Sequence, residues 1–179
     1  MSRIGKLPVI LPAKVKATVV NNTVVVEGPK GRLEHSFSPT AVKIRLDGNA
    51  IKVDALGDSR QTGALHGTTR SIIAGMVLGV DKGYEKKLEI SGVGFKAELK
   101  GKALDLSLGF SHEILLPIPD GISIRVDNGT MITINGSDKQ AVGQIAATIY
   151  NYYPVEPYKA KGVHVVGAHI RRKEGKKAG

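Results

Sequence analysis

The sequence predicts an α+β protein of two similar domains, each a small mostly antiparallel sheet with one packed helix, followed by a basic C-terminal extension. Three observations carry this. Short β-rich runs are separated by turn residues; two segments switch to helical spacing; and the order of elements repeats about eighty residues later. IRLD at 44–47 recurs as IRVD at 124–127, and VVVEG at 24–28 answers LDLSLG at 104–109. Asp58, Gly63, Leu65 and Thr68 reappear as Asp138, Gly143, Ile145 and Thr148, with a one-residue slip in the intervening turn. The expected boundaries are 1–82 for the first repeat with a basic arm, 83–153 for the second, and 154–179 for the extension.

Ser2 to Lys6 is small and basic ahead of Pro8 and Pro12, which reads as an extended arm. KATVV and TVVVEG flank Asn21-Asn22, residues that tolerate positive φ, so a hairpin follows. Pro29-Lys30-Gly31 makes the next turn, RLEHSF and VKIRL are strands, and Asp47-Gly48-Asn49 returns the chain into AIKVDAL. From Asp58 to about Leu78, Leu65, Ile72 and Met76 recur at helical spacing, with Asp58 and Gln61 as an N-terminal capping pair. The opposite face carries Arg60, Gly63, Gly67 and Arg70, which would let a phosphate backbone come close, or would simply be solvated. In the second half YEKKLEIS leads to a hairpin turning at Gly101-Lys102, then EILLPIP, GISIRVD and TMITIN supply strands. Ser137 with Gln140 opens a second helix with an apolar stripe of Val142, Ile145, Ile149 and Tyr152 or Tyr153, which ends at Pro154.

Composition narrows the function. An apolar fraction of 41% suits a folded domain, and no run approaches the roughly 18 apolar residues of a membrane span, so a soluble protein is expected. The N-terminus lacks the pattern of a secretory signal. The absence of cysteine removes disulfides and thiolate zinc sites and fits a reducing compartment. Net charge is +10, and it is segregated: residues 1–82 carry twelve basic and six acidic side chains, 83–158 seven and nine, and 159–179 seven and one. Concentrated cationic patches suit docking on a polyanion through counterion release, with nucleic acid ahead of anionic membrane.

Catalytic patterns fail on inspection. His112-Glu113 begins like a zincin motif, but Leu116 stands where the second histidine must be. Glu113 likewise breaks a nucleophile elbow at Gly109-Phe110-Ser111. Gly92-Val93-Gly94 is followed by strand-like alternation and no helix, so it is no dinucleotide fingerprint. The five histidines are scattered, and His164 and His169 lie in a Gly- and Val-rich stretch without metal-ligand spacing on a helix. No cofactor, metal, small-molecule substrate or catalytic pair is expected. Tyr150, Tyr152, Tyr153 and Tyr158 fall just before the basic tail, and rings beside cations suit stacking on unpaired bases. Tyr158, against Lys159 and outside the helix, is the best placed.

SRIGKLPV, LHGTTRS, SGVGFKAEL, DKQAVGQIAA, EPYKAKGV and RRKEGK occur in this order over essentially the whole chain. Together they resemble the bacterial-type large-subunit ribosomal protein of the L-six family. That resemblance implies two similar α+β domains, no catalytic activity, binding to 23S-type rRNA near the stalk base and the translational GTPase docking region, and neighbouring large-subunit ribosomal proteins there. It places the chain in the cytoplasm within the ribosome, bacterial or organellar. The chain departs from the usual pattern at Ala160, His164, Val165 and Ala168, which weakens His164 and Val165 as RNA contacts.

The expected RNA contacts are Arg3 and Lys6 of the arm; Gly92, Gly94, Phe95 and Lys96 of the loop; and Tyr158, Lys159, Lys161, Gly162, Arg171, Arg172, Lys173, Lys176 and Lys177 of the C-terminal segment. That segment divides into a Pro-stiffened anchor at 154–162, a nearly uncharged middle from Val163 to Ile170 able to add a strand to the second domain, and a cationic end. Deletion of 159–179 is expected to leave both domains folded. A free-standing architectural nucleic-acid binder is the competing reading; it would bind and bend duplex DNA.

Overall fold

The computed structural model describes residues 2–175, and the chain divides into two compact units. The first comprises the residues up to Tyr84 together with Ser137–Lys139; the second comprises Glu85–Gly136 and the chain from Gln140 onward. The C-terminal segment therefore clusters with the second unit.

In the first unit, β2 (Lys16–Val20), β3 (Thr23–Gly28) and β4 (Gly31–Ser36) form an antiparallel meander. Asn21 and Asn22 both adopt positive φ, 48° and 62°, as a two-residue hairpin of this hand requires. A second sheet has the order β1-β6-β5, from β1 (Val9–Ile10), β5 (Val42–Asp47) and β6 (Ala50–Ala55). The helix α1 (Arg60–Asp81) lays Ile73, Met76, Val77 and Val80 into a core shared with Val24, Val26, Val42, Ile44 and Ile51. Burying such side chains stabilises the unit by about 1.5–3 kcal/mol each.

The second unit repeats this plan. A meander of β8 (Lys96–Lys100), β9 (Ala103–Ser107) and β10 (Ile114–Pro117) buries Leu104 and Leu106 of its central strand, as the first meander buries Val24 and Val26. The other sheet runs β11-β12-β7-β13, with β7 (Tyr84–Ser91), β11 (Ile122–Asp127), β12 (Met131–Gly136) and β13 (Gly162–Val165). The helix α2 (Lys139–Tyr152) buries Val142, Ile145, Ala146 and Ile149. The slip between the repeats has a structural origin: Asp47 pairs with Ala50 across two turn residues, whereas Asp127 pairs with Met131 across three.

Four expectations need correction. Each unit has two small sheets rather than one. The N-cap of α1 is Ser59, whose Oγ accepts from the Thr62 backbone N–H at 3.0 Å, not Asp58. The buried face of α1 runs through His66, Thr69, Ile73 and Met76, so Leu65 and Ile72 sit at its margin. Residues 3–6 form turns rather than an extended arm, with the Leu7 N–H bonded to Ile4 O at 3.2 Å. The segment beyond 159 also adds to the core of the second unit: Ala160 and Val163 are buried and β13 pairs with β7. The strand expected in the uncharged middle is present, confined to Gly162–Val165.

Candidate nucleic-acid interface

On the first unit, Arg3 and Lys6 are exposed on a turn held against α1. Ser2 Oγ accepts from the Gly5 N–H at 3.3 Å and packs over Gly67, where a Cβ would come within 2.8 Å of it. Gly5 lies directly on the buried His66 ring, whose Nε2–H donates to Val53 O at 2.9 Å. Arg70 completes the clasp, its Nε donating to Leu7 O at 3.2 Å and its Nη2 to Pro8 O at 3.4 Å. Gly67 and Arg70, on the α1 face that the sequence left open to phosphate or to solvent, thus dock the N-terminal turn. Arg70, absent from the expected site, positions Arg3 and Lys6; the signal was its place three residues after Gly67, where a chain can lie close.

On the second unit, the antiparallel register sets Gly162 opposite Ser91, so the Gly92–Lys96 loop and Lys161 emerge at the same end of β7 and β13. The loop is a tight turn: Gly92 and Gly94 have φ of 155° and 77°, and the Phe95 N–H bonds back to Gly92 O. Phe95 is half-buried, its ring 5.1 Å from that of Tyr153, edge-on, and under Gly92, where a Cβ would meet it at 2.7 Å. It buttresses the loop and leaves Val93, 92% exposed, at the apex. Lys96 is exposed and donates to Glu98 at 2.8 Å; this bond, and then the carboxylate's charge, raise its pKa.

The C-terminal segment turns tightly between Pro154 and Gly162. The Glu156 N–H bonds to Lys161 O, the Ala160 N–H to Glu156 O, and the Val163 N–H to Tyr153 O, at 2.8–3.0 Å. Gly162 closes this turn at φ 130°, and a Cβ there would lie 2.8 Å from both Pro154 O and Tyr153 O. Gly162 is buried, so it shapes the surface rather than presenting one. Tyr158 is 55% exposed with Lys159 beside it. The Lys173 N–H bonds to Pro157 O at 2.9 Å, which returns Arg171, Arg172 and Lys173 to the anchor. Lys176 and Lys177 lie outside the described residues. His164 faces Glu89, Nε2 to Oε2 3.3 Å, inside the sheet.

Charge pairing distinguishes most of the expected contacts from several strand cations, with Lys96, paired to Glu98, as an exception. Strand residues such as Arg32, Arg45, Lys52 and Lys100 have carboxylates within 4 Å. Among the described residues, Arg3, Lys6, Lys159, Lys161, Arg171, Arg172 and Lys173 have none, so their charge stays available to a polyanion. Two duplicated α+β units, each bearing unpaired cations on a turn fixed by glycine contacts, define a scaffold suited to binding a polyanion.

Residues 11–83 and 91–165 each match the family described as Ribosomal protein L6, one match per repeat. The chain is 57% identical over 176 residues to the large ribosomal subunit protein uL6 of Opitutus terrae, covering 98% of each chain. It is 51% identical over 177 residues to that of Bradyrhizobium diazoefficiens, covering 99% of each, and 46% identical over 176 residues to that of Listeria monocytogenes, covering 98% of each. The chain belongs to the ribosomal protein L6 family, in its bacterial type, and that family is structural rather than enzymatic.

Proposed function

We propose that the chain is a structural constituent of the large ribosomal subunit that binds 23S-type rRNA near the stalk base, beside the region where translational GTPases dock. The observation carrying this is the emergence, at one end of β7 and β13, of the Gly92–Lys96 loop and Lys161, with the Arg171–Lys173 segment tied back to Pro157 of the anchor. Unpaired cations there would neutralise phosphates, and exposed Tyr158 would stack on an unpaired base. Neighbouring large-subunit proteins near the stalk base would complete the surroundings. Folded RNA is recognised by shape, and a surface preset by backbone hydrogen bonds loses little entropy on binding.

The test is a binding comparison at matched salt between a 23S-type rRNA transcript and duplex DNA of equal length. Clear preference for the rRNA supports the reading. Equal or tighter binding to the DNA, with bending, would point to a free-standing architectural protein.

A further inference from the structure

Beneath the returning C-terminal segment the second unit has an open groove of about 470 Å³. Its volume lies within the roughly 300–1,000 Å³ range of sites that hold small organic groups. It is lined by Tyr150 of α2, exposed at 37%, by the apolar Val155, Pro157 and Ile170, and by the exposed His169. Lys86 from β7 and Arg171 also line it, and among the described residues no carboxylate does. Among the described residues neither Lys86 nor Arg171 has an ion-pair partner. The groove thus combines an aromatic face, an apolar wall and two free cations.

We propose that this groove receives one unpaired nucleotide of an RNA strand, its base against Tyr150 and its phosphate between Lys86 and Arg171. The two chemistries of a nucleotide match the two chemistries of the groove: every base offers a π-face for stacking, and the phosphate needs charge and donors. An apolar peptide would satisfy the aromatic wall but would leave both cations without a counter-charge. The Lys173 N–H bond to Pro157 O holds the segment bearing His169 and Arg171 in place, so the groove does not depend on the RNA for its form. The proposal rests on the rRNA-binding reading and adds a position where a single base is held.

The experiment uses the full chain and a 23S-type rRNA transcript. Ala147 lines the groove from the exposed side of α2, so Ala147→Trp fills it without altering charge. Tyr150→Ala removes the stacking face, and Tyr150→Phe keeps it. Ala147→Trp and Tyr150→Ala are each expected to lower affinity roughly tenfold, within the range for losing one base–aromatic stack. The salt dependence should be unchanged in Tyr150→Ala, which keeps both cations, and Tyr150→Phe should bind as the unaltered chain does. Ultraviolet irradiation should cross-link an RNA base to Tyr150, and Ala147→Trp should abolish that adduct. Unchanged affinity in both Ala147→Trp and Tyr150→Ala overturns the proposal, as does a cross-link from Tyr150 to another protein in intact large subunits. Failure of the unaltered chain to bind the transcript overturns the rRNA reading itself, and the two failures are distinct.

Discussion

Substituting Gly162→Ala perturbs the turn on which the second-unit surface depends. At φ 130° a side chain is strained, at a cost of about 1–3 kcal/mol. The added Cβ would also sit within 2.9 Å of Pro154 O, Tyr153 O and Val155 Cα, all backbone atoms that cannot rotate away. Overpacking of this kind costs about 1–3 kcal/mol more. The sum, about 2–6 kcal/mol, is below or near the lower part of the usual global stability of about 5–15 kcal/mol, so the unit should stay folded while β13 opens. Hydrogen exchange reads this directly at Val163, whose N–H bonds to Tyr153 O, and at Val166, whose N–H bonds to Lys87 O. Exchange there should quicken roughly thirty-fold or more, since each 1.4 kcal/mol is about tenfold. Gly167→Ala is the control: its φ is 84° but nothing lies within 4 Å, leaving only about 1–2 kcal/mol of left-handed strain. Equal protection in the two variants would refute the role given to Gly162.

Truncation before Arg171 should leave the melting temperature nearly unchanged, whereas truncation before Lys159 should lower it by several degrees, because it removes β13 and the buried Val163. Replacing Arg171, Arg172 and Lys173 by Gln should flatten the dependence of log affinity on log salt by roughly 0.7–0.9 for each phosphate no longer neutralised, while Arg32→Gln, already paired with Glu27, should change it little. The hydrogen bond from Lys52, and then its charge, hold the Asp47 carboxyl below its usual range, and the same contact raises Lys52. The Asp47 contribution is present above its unfolded value and lost as pH falls through the folded one; the Lys52 contribution is present below its unfolded value and lost as pH rises through the folded one. Lys52→Met should therefore return the Asp47 titration, followed by carboxyl NMR, upward to the ordinary range.

Hairpins and repeats were legible because their causes are local. Asn21-Asn22 and Gly101-Lys102 specify turns within a few residues, and the recurrence of IRLD as IRVD marks the same strand twice. The cap of α1 was misplaced by one residue because Asp58 and Ser59 are both good N-cap residues, and only backbone geometry selects the second. Its face was misread because His66 and Thr69 are polar yet buried; His66 is accommodated by Val53 O and the Gly5 backbone, which apolar periodicity does not register. The folded N-terminal turn depends on Arg70, more than sixty residues away in sequence, and so had no local signature. In the candidate interface, the exposed cations stand out in the sequence by residue type, while the support roles of Phe95 and Gly162 and the Tyr150 groove follow from packing alone.

The central claim is that the chain works as part of the large ribosomal subunit through salt-sensitive contacts to its rRNA. Sedimentation of a gentle lysate tests it most directly. The chain should travel with the large subunit at low salt and come off as salt rises, with earlier release when Arg171, Arg172 and Lys173 are replaced by Gln. A chain found wholly free of large subunits at low salt would contradict the account.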